Sequence, residues 1–241
     1  RAVCQGADGV DGVAEGGGGG VTSSEAASVQ PIADRYVRFA RNEAAGRSPL
    51  YKALALHVAS DVDALRFLQQ LPLPRQQPNL LFAAIRHAAG TPASCPDFDA
   101  KLRDYSEAIA QTMLTRTTHT NEPGRCATLL PALPHDTPIA LIEVGASAGL
   151  CLWPDRYGYD WGHGQLAPPA KWADAPVFPC TASANTPLPD RHPRIVWRAG
   201  LDLNPLDLSK PDDTAWLEAL VWPEHHARLQ RLKAAIRVVR D

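Results

Sequence analysis

The strongest constraint in the sequence is a short apolar run that leads into a glycine-rich turn. The run Pro138–Val144 is almost entirely apolar and is bounded by a proline and a glycine, which favours a β-strand buried on both faces of a parallel sheet. The turn Gly145–Gly149 follows at once, and residues 150–152 can begin a helix. Because a strand, a glycine turn and a helix start are the first elements of nucleotide-binding α/β domains, this segment predicts a fold of that type.

The remainder of this half offers one more clear strand. Ile195–Ala199 is mainly apolar and leads into the sequence GLDLNP. Residues 154–193 are rich in proline, glycine, aspartate and tryptophan without any period, and we therefore predict a long insertion there. Helices are expected near 212–221 and from 223 to about 239. The sequence thus predicts a Rossmann-like α/β domain over residues 134–241.

Two strands cannot form a stable sheet by themselves. We therefore expect an incomplete Rossmann-like sheet in a chain that is truncated at its C-terminus. The unpaired strand edges would favour self-association. We also expect this α/β part to unfold more easily than the helices that precede it.

Residues 31–133 show helical periodicity and predict a helical bundle domain. Ser48 followed by a proline is typical of a helix start, and apolar residues at helical spacing continue from Phe98 to Met113. His57 lies alone on an apolar helix face, which favours a packed core histidine over a metal ligand. Residues 1–30 are rich in glycine, alanine and serine, and we expect them to be disordered because they have little apolar surface to bury.

Composition and charge exclude several classes of protein. The net charge of −2 gives no reason to expect nucleic-acid binding, and no apolar stretch has the roughly 18 residues of a membrane span. The five cysteines are scattered without CxxC spacing, which is typical of reduced thiols in the cytoplasm and gives no reason to expect a metal site.

The glycine turn carries the most informative chemistry. Its residues Glu143, Gly145, Ser147 and Gly149 resemble the first motif of Rossmann-like S-adenosylmethionine methyltransferases. Small residues let a ligand approach the backbone, and the helix start offers free N–H groups. The acid that binds ribose in such proteins follows the next strand, where this chain has Asp202 with Asn204 nearby. This interpretation predicts a methyltransferase-like protein with S-adenosylmethionine as cofactor, an unknown small-molecule or protein acceptor, and no assigned catalytic residue.

Two other functions stay open. GASAG also satisfies GxSxG, the nucleophile elbow of α/β-hydrolases, with Ser147 as nucleophile, Asp202 or Asp207 as acid and His225 or His226 as base. A non-enzymatic interaction protein is the third possibility, since all six tryptophans lie after residue 150 and tryptophan is enriched in binding hot spots.

A polar loop at 115–125 directly precedes the glycine-turn strand and includes His119, Asn121, Glu122 and Arg125. We expect this loop to face the glycine turn, because ligand sites of open α/β sheets lie at the carboxyl ends of the strands.

An ordered set of sequence blocks also resembles an uncharacterised bacterial family whose domain has no known function. The blocks cover the chain from about residue 35 to its end; they are Arg38–Arg41, Arg47–Tyr51, Gln77–Phe82, Thr120–Glu122, Gly124–Cys126, Glu143–Leu150, Gly200–Asp207 and Leu220–Glu224. The resemblance implies a helical N-terminal part followed by a Rossmann-like part similar to methyltransferases, and members of this kind usually continue well beyond this length. Two departures from its pattern are Pro154 and Cys151.

Overall fold

The computed structural model describes residues 23–119 and 121–240. Two compact units emerge: a helical unit that reaches Thr118 and includes Trp222–Glu224, and an α/β unit formed by His119–Val221 with the segment from His225 onwards. The change between units therefore falls at 118/119, whereas the sequence placed it at 133/134. Disorder was expected for residues 1–30. Residues 1–22 of this segment lie outside the described residues, and residues 23–30 are helical.

The helical unit consists of six α-helices among the described residues. They are α1 Ser23–Phe39, α2 Pro49–Ser60, α3 Val62–Gln69, α4 Pro78–Ala89, α5 Cys95–Asp104 and α6 Ser106–Thr115, with a π-helical turn at Ala40–Ala44 and a 3-10 turn at Leu73–Arg75. None of the described helices is both long and apolar enough to span a membrane. Helix α4 contributes most to the core, since it buries every residue from Leu80 to Ile85.

Side-chain caps begin α2 and α3, the first at Ser48, where the sequence predicts a helix start. Ser48 accepts a hydrogen bond from the N–H of Tyr51, and Asp61 accepts one from the N–H of Ala64, so each side chain satisfies a donor that a helix leaves unpaired. The predicted stripe from Phe98 to Met113 is not one helix. It breaks at Tyr105, whose side chain is exposed.

Two of the family-like sequence blocks meet in this unit. The Glu224 carboxylate accepts hydrogen bonds from the Ser48 hydroxyl (2.7 Å) and from the N–H of Leu50 (3.0 Å). The neighbouring Trp222 packs on the rings of Phe39 and Tyr51. These blocks therefore secure the start of α2, which is a structural role rather than a catalytic one.

The α/β unit contains three α-helices and five strands among the described residues. They are α7 Arg125–Leu129, β1 Ile139–Val144, β2 Gly158–Asp160, β3 Gln165–Leu166, β4 Val177–Pro179, β5 Ile195–Leu201, α8 Pro211–Leu220 and α9 His226–Arg240, with 3-10 turns at Leu130–Ala132, Leu150–Leu152 and Ala170–Trp172. The two predicted strands, β1 and β5, form a parallel pair. The unit is α/β as expected.

The parallel pair is partly buried on one face and exposed on the other. Burial alternates along β1, so that Ile142 and Val144 are 59% and 82% exposed while Leu141 and Glu143 face inward. Across the pair, Trp197 and Leu201 are 53% and 62% exposed. The expectation of burial on both faces is therefore wrong for the unit as described.

The expected insertion at 154–193 contains a second sheet and part of the core. Strand β2 pairs with β3 antiparallel and with β4 parallel. The side chains of Tyr157, Tyr159, Trp161 and Phe178 are among the largest that are fully buried. Residues expected to form an irregular insertion therefore carry the packing of this unit.

Candidate functional site

The glycine turn has an unusual backbone. Gly145, Ser147 and Gly149 all have positive φ angles, of 77°, 52° and 69°. Glycine adopts this region freely, but a serine is strained there, and Ser147 is the only non-glycine residue with positive φ in the described chain. Strain of this kind persists where surrounding contacts hold it, and it concentrates at functional sites.

The contacts that hold the turn come from the end of β5. The carbonyl of Leu201 accepts hydrogen bonds from the N–H groups of Gly145 (2.7 Å) and Ala146 (3.1 Å). A Cβ on Gly200 would lie 2.7 Å from the Cβ of Ala146, so only glycine lets the turn approach the strand this closely.

Asp202 fixes the strained residue directly. One carboxylate oxygen accepts the N–H of Ser147 at 2.7 Å and the other accepts the N–H of Asn204 at 2.8 Å. The N–H groups of Asn204 and Ser147 lower the pKa of Asp202, so the carboxylate stays ionised. The structure therefore brings together the predicted residues Ser147, Asp202 and Asn204. Each carboxylate oxygen keeps capacity for one more donor, such as a ribose hydroxyl.

Two expectations for the turn are wrong. Residues 150–152 form a single 3-10 turn instead of starting an α-helix, because Pro154 cannot continue one. The N–H groups of Gly145, Ala146, Ser147 and Gly149 are also already donated within the protein. A ligand at this turn would therefore be held mainly by side chains.

Glu143 is the side chain best suited to that task. Its Oε2 atom is buried and has no hydrogen-bond partner among the described residues. Burial raises the pKa of Glu143, and the nearby positive charge of Arg125 offsets only part of this rise. Gly145 follows Glu143 by two residues, and a Cβ added to Gly145 would meet no atom within 4 Å. The end of β1 thus combines an unsatisfied acceptor with open space.

Two cysteine side chains lie beside Glu143. Cys126 is buried in the core of this unit. Its hydrogen bond with Cys151, followed by its burial, raises the pKa of the Cys126 thiol. The Cys151 thiol donates to the carbonyl of Glu122 (3.5 Å). The two cysteines therefore connect Glu122 of the polar loop to the segment that follows the glycine turn, and the raised pKa keeps the Cys126 thiol neutral.

The polar loop faces the glycine turn, as the sequence predicts. His119 Nδ1 lies 3.0 Å from the hydroxyl oxygen of Ser147. Glu122 is held in place by Arg228 of α9, with 2.6 Å between Oε2 and Nε. The Ser147 hydroxyl therefore contacts His119, whereas the sequence named His225 or His226 as the base for a hydrolase.

A cavity borders the turn. It measures about 520 Å³ and is lined by Ala148, Leu206–Ser209 and the end of α9. This volume falls within the usual range for small-molecule sites.

Comparison with curated proteins and with solved structures finds no match for this chain. A family model described as "Uncharacterized protein conserved in bacteria" matches residues 33–241, and this range contains every site residue described above. The chain therefore belongs to the bacterial family DUF2332.

Proposed function

We propose that the glycine turn binds S-adenosylmethionine and that the protein is a methyltransferase-like enzyme of unknown acceptor. The observation that carries this proposal is the buried Oε2 of Glu143, an acceptor without a partner, beside the open side of Gly145. Leaving a buried polar atom unsatisfied costs about 1–3 kcal/mol. A ligand that donates a hydrogen bond there recovers this energy.

The charges around Glu143 match one part of this cofactor. S-adenosylmethionine ends in an amino acid with an ammonium and a carboxylate. The Glu143 carboxylate would accept from the ammonium, and the nearby Arg125 guanidinium would attract the carboxylate. Asp202 lies at the end of the adjacent strand, within reach of the turn through Ser147, and would accept from the ribose hydroxyls.

The chain's own residues would contribute to methyl transfer by positioning. The bound cofactor supplies an electrophilic methyl group, and alignment with an acceptor provides much of the rate. The turn is suited to alignment because Leu201 and Asp202 fix its backbone.

Calorimetry with S-adenosylmethionine tests the proposal, using two valine substitutions. Gly145→Val should abolish binding because the side chain fills the open space above the turn. Gly162→Val is the matched control, since Gly162 also has a positive φ (87°) and open space at its Cβ but lies in a different turn. Both variants carry similar backbone strain. Equal binding by the two would remove the turn from the site.

Glu143→Gln is the sharper variant, because it preserves shape and removes the charge. Binding of S-adenosylmethionine should weaken by roughly 10–150-fold, which corresponds to the 1.5–3 kcal/mol of a hydrogen bond to a charged group. Unchanged affinity would show that the cofactor, if it binds, does not use this carboxylate.

One contact favours a second function, serine hydrolysis. Ser147 is strained at a strand-to-turn junction and hydrogen-bonds His119 at 3.0 Å, which is the nucleophile–base geometry of acyl-transfer enzymes. His119 also lies close enough to Asp202 to influence this carboxylate electrostatically. However, the Ser147 N–H is donated to Asp202 and its side chain is buried, which limits access of a substrate carbonyl.

A fluorophosphonate probe separates the two functions. The cofactor proposal predicts no labelling of Ser147. Labelling that disappears in His119→Gln and in Ser147→Ala would establish the hydrolase function instead.

A further inference from the structure

A cluster of metal-ligating side chains lies in the helical unit, outside the glycine-turn site. His57 Nε2 and Asp99 Oδ1 are 2.7 Å apart, and Asp61 is the third member. One potential ligand atom from each residue lies within 4.8 Å of the other two. Atoms that share a tetrahedral Zn²⁺ ion at about 2.0–2.2 Å lie about 3.3–3.6 Å apart, so modest side-chain rotations, which widen the His57–Asp99 contact, bring all three onto one ion.

The fold orients each of the three ligands. His57 and Asp61 are four residues apart at the end of α2, which places them on one face, and Asp99 comes from α5. The His57 ring packs edge-on against Phe98, with centroids 6.0 Å apart. One oxygen of Asp61 accepts the N–H of Ala64 at 2.7 Å. This cap holds the carboxylate while its second oxygen stays available as a ligand.

The cluster opens onto a cavity. Asp61 and Asp99 line a space of about 480 Å³ together with Asp63 and Ser106. Arg103 also lies on this wall, but its guanidinium pairs with Asp104 at 3.3 Å. An ion held by the three ligands would therefore have a coordination position toward open space.

We infer that His57, Asp61 and Asp99 form a binding site for a divalent transition-metal ion of the zinc type. One imidazole nitrogen and two carboxylate oxygens are ligands that Zn²⁺ accepts, and three protein ligands with an open position are typical of its non-structural sites. The two carboxylates neutralise the charge of the ion. In its absence, the His57–Asp99 hydrogen bond satisfies the same atoms.

Metal titration of the purified, metal-free full chain tests the inference. Zn²⁺ calorimetry should show one equivalent bound, and Co²⁺ should give a visible spectrum without a thiolate charge-transfer band. Asp99→Asn and Asp61→Asn should each lower the affinity at least about tenfold. Asp61→Asn keeps an oxygen that can cap Ala64, so the loss reports the ligand rather than the helix. His57→Ala should abolish the site, and circular dichroism checks that it folds.

Asp63→Asn is the matched control. Asp63 lines the same cavity, but its side chain is 92% exposed and pairs with Arg66, so binding should be unchanged. Three results would overturn the inference: the wild type fails to bind one equivalent of Zn²⁺, Asp99→Asn binds Zn²⁺ with wild-type affinity, or Asp63→Asn loses as much affinity as Asp99→Asn. A thiolate band would place the ion at cysteines and would overturn it as well.

Discussion

The two sheets of the α/β unit differ in strand length and in side-chain burial: one has the longer strands, and the other has the more deeply buried side chains. The parallel pair has strands of six and seven residues, yet its outer face exposes Ile142, Val144 and Trp197. The strands of the small sheet have three, two and three residues, yet Tyr159 and Phe178 within them are fully buried. We therefore expect the large buried aromatic side chains to contribute more to the stability of this unit than the length of its paired strands.

This difference also separates the site from its support. The parallel pair positions the glycine turn and Asp202 at its carboxyl end. The small sheet packs with Cys126, Leu150 and residues of α9 in the core of the same unit. The site thus lies at the end of the parallel pair, which has one exposed face, and it borders the core to which the small sheet contributes.

The largest expected effect comes from removing a tryptophan of the core. Trp161 is 2% exposed, stacks on Tyr159 and donates a hydrogen bond to the carbonyl of Ala127 at 2.8 Å. Trp161→Ala should cost about 3–5 kcal/mol, because it leaves a cavity and an unpaired carbonyl.

Trp197→Ala removes the same side chain from the exposed face of the parallel pair and should cost less than about 1 kcal/mol. Urea denaturation of both variants measures the two costs. Equal destabilisation would mean that the outer face of β5 is as important to the fold as the small sheet.

The segment that leads into the small sheet shows how much the sequence predicts. Strands β1 and β5 are recognisable because apolar runs bounded by proline or glycine favour strands. The small sheet was missed, although Tyr157, Tyr159 and Trp161 alternate with the period of two that marks a strand. Strands of two or three residues among prolines and glycines give too few repeats for that signal to stand out.

Part of the candidate site could also be predicted, because it lies at the ends of the two strands that the sequence reveals. The positions of Ser147 and Asp202 follow from two strands that end at the same edge of a parallel sheet. The sequence also predicts that the loop containing His119 faces the glycine turn, but it does not single out the contact of His119 with Ser147 across 28 residues or that of His57 with Asp99 across 42. No local pattern encodes such contacts, since they depend on how loops and helices pack in three dimensions.

A smaller effect on stability is expected from the ion pair between β5 and the segment that leads into the small sheet. Arg198 on the inner face of β5 makes a bidentate contact with Asp155 at 3.0 Å, and their side chains are 18% and 21% exposed. Asp155→Asn should cost about 2 kcal/mol, because it removes the negative charge beside a largely buried guanidinium and replaces one of its two acceptor oxygens with a donor. The control Asp190→Asn breaks an exposed pair with Arg191 and should leave the denaturation midpoint unchanged.

The pH dependence of stability isolates Glu143. Since burial raises the pKa of Glu143 in the folded protein, its contribution to stability is present below the unfolded pKa of about 4.3 and is lost as the pH rises through the folded value. Glu143→Gln should therefore be more stable than the wild type at pH 7, and the difference should disappear as the pH falls below about 4. A variant less stable than the wild type at pH 7 would show that the carboxylate serves the fold rather than a ligand.

The smallest expected effect on folding comes from the outer face of the parallel pair, where self-association is the property at stake. Neither β1 nor β5 pairs with a further strand in the described chain, and open edges beside exposed apolar residues favour pairing with another molecule. Val144→Lys should change the free energy of unfolding by no more than about 0.5 kcal/mol, because Val144 is 82% exposed. Sedimentation velocity should show concentration-dependent association for the wild type and for Leu73→Lys, a control in the helical unit at a residue that is 64% exposed, but not for Val144→Lys. If the wild type stays monomeric across the concentration series, or if all three proteins associate equally, then the edges and outer face of this sheet do not mediate self-association.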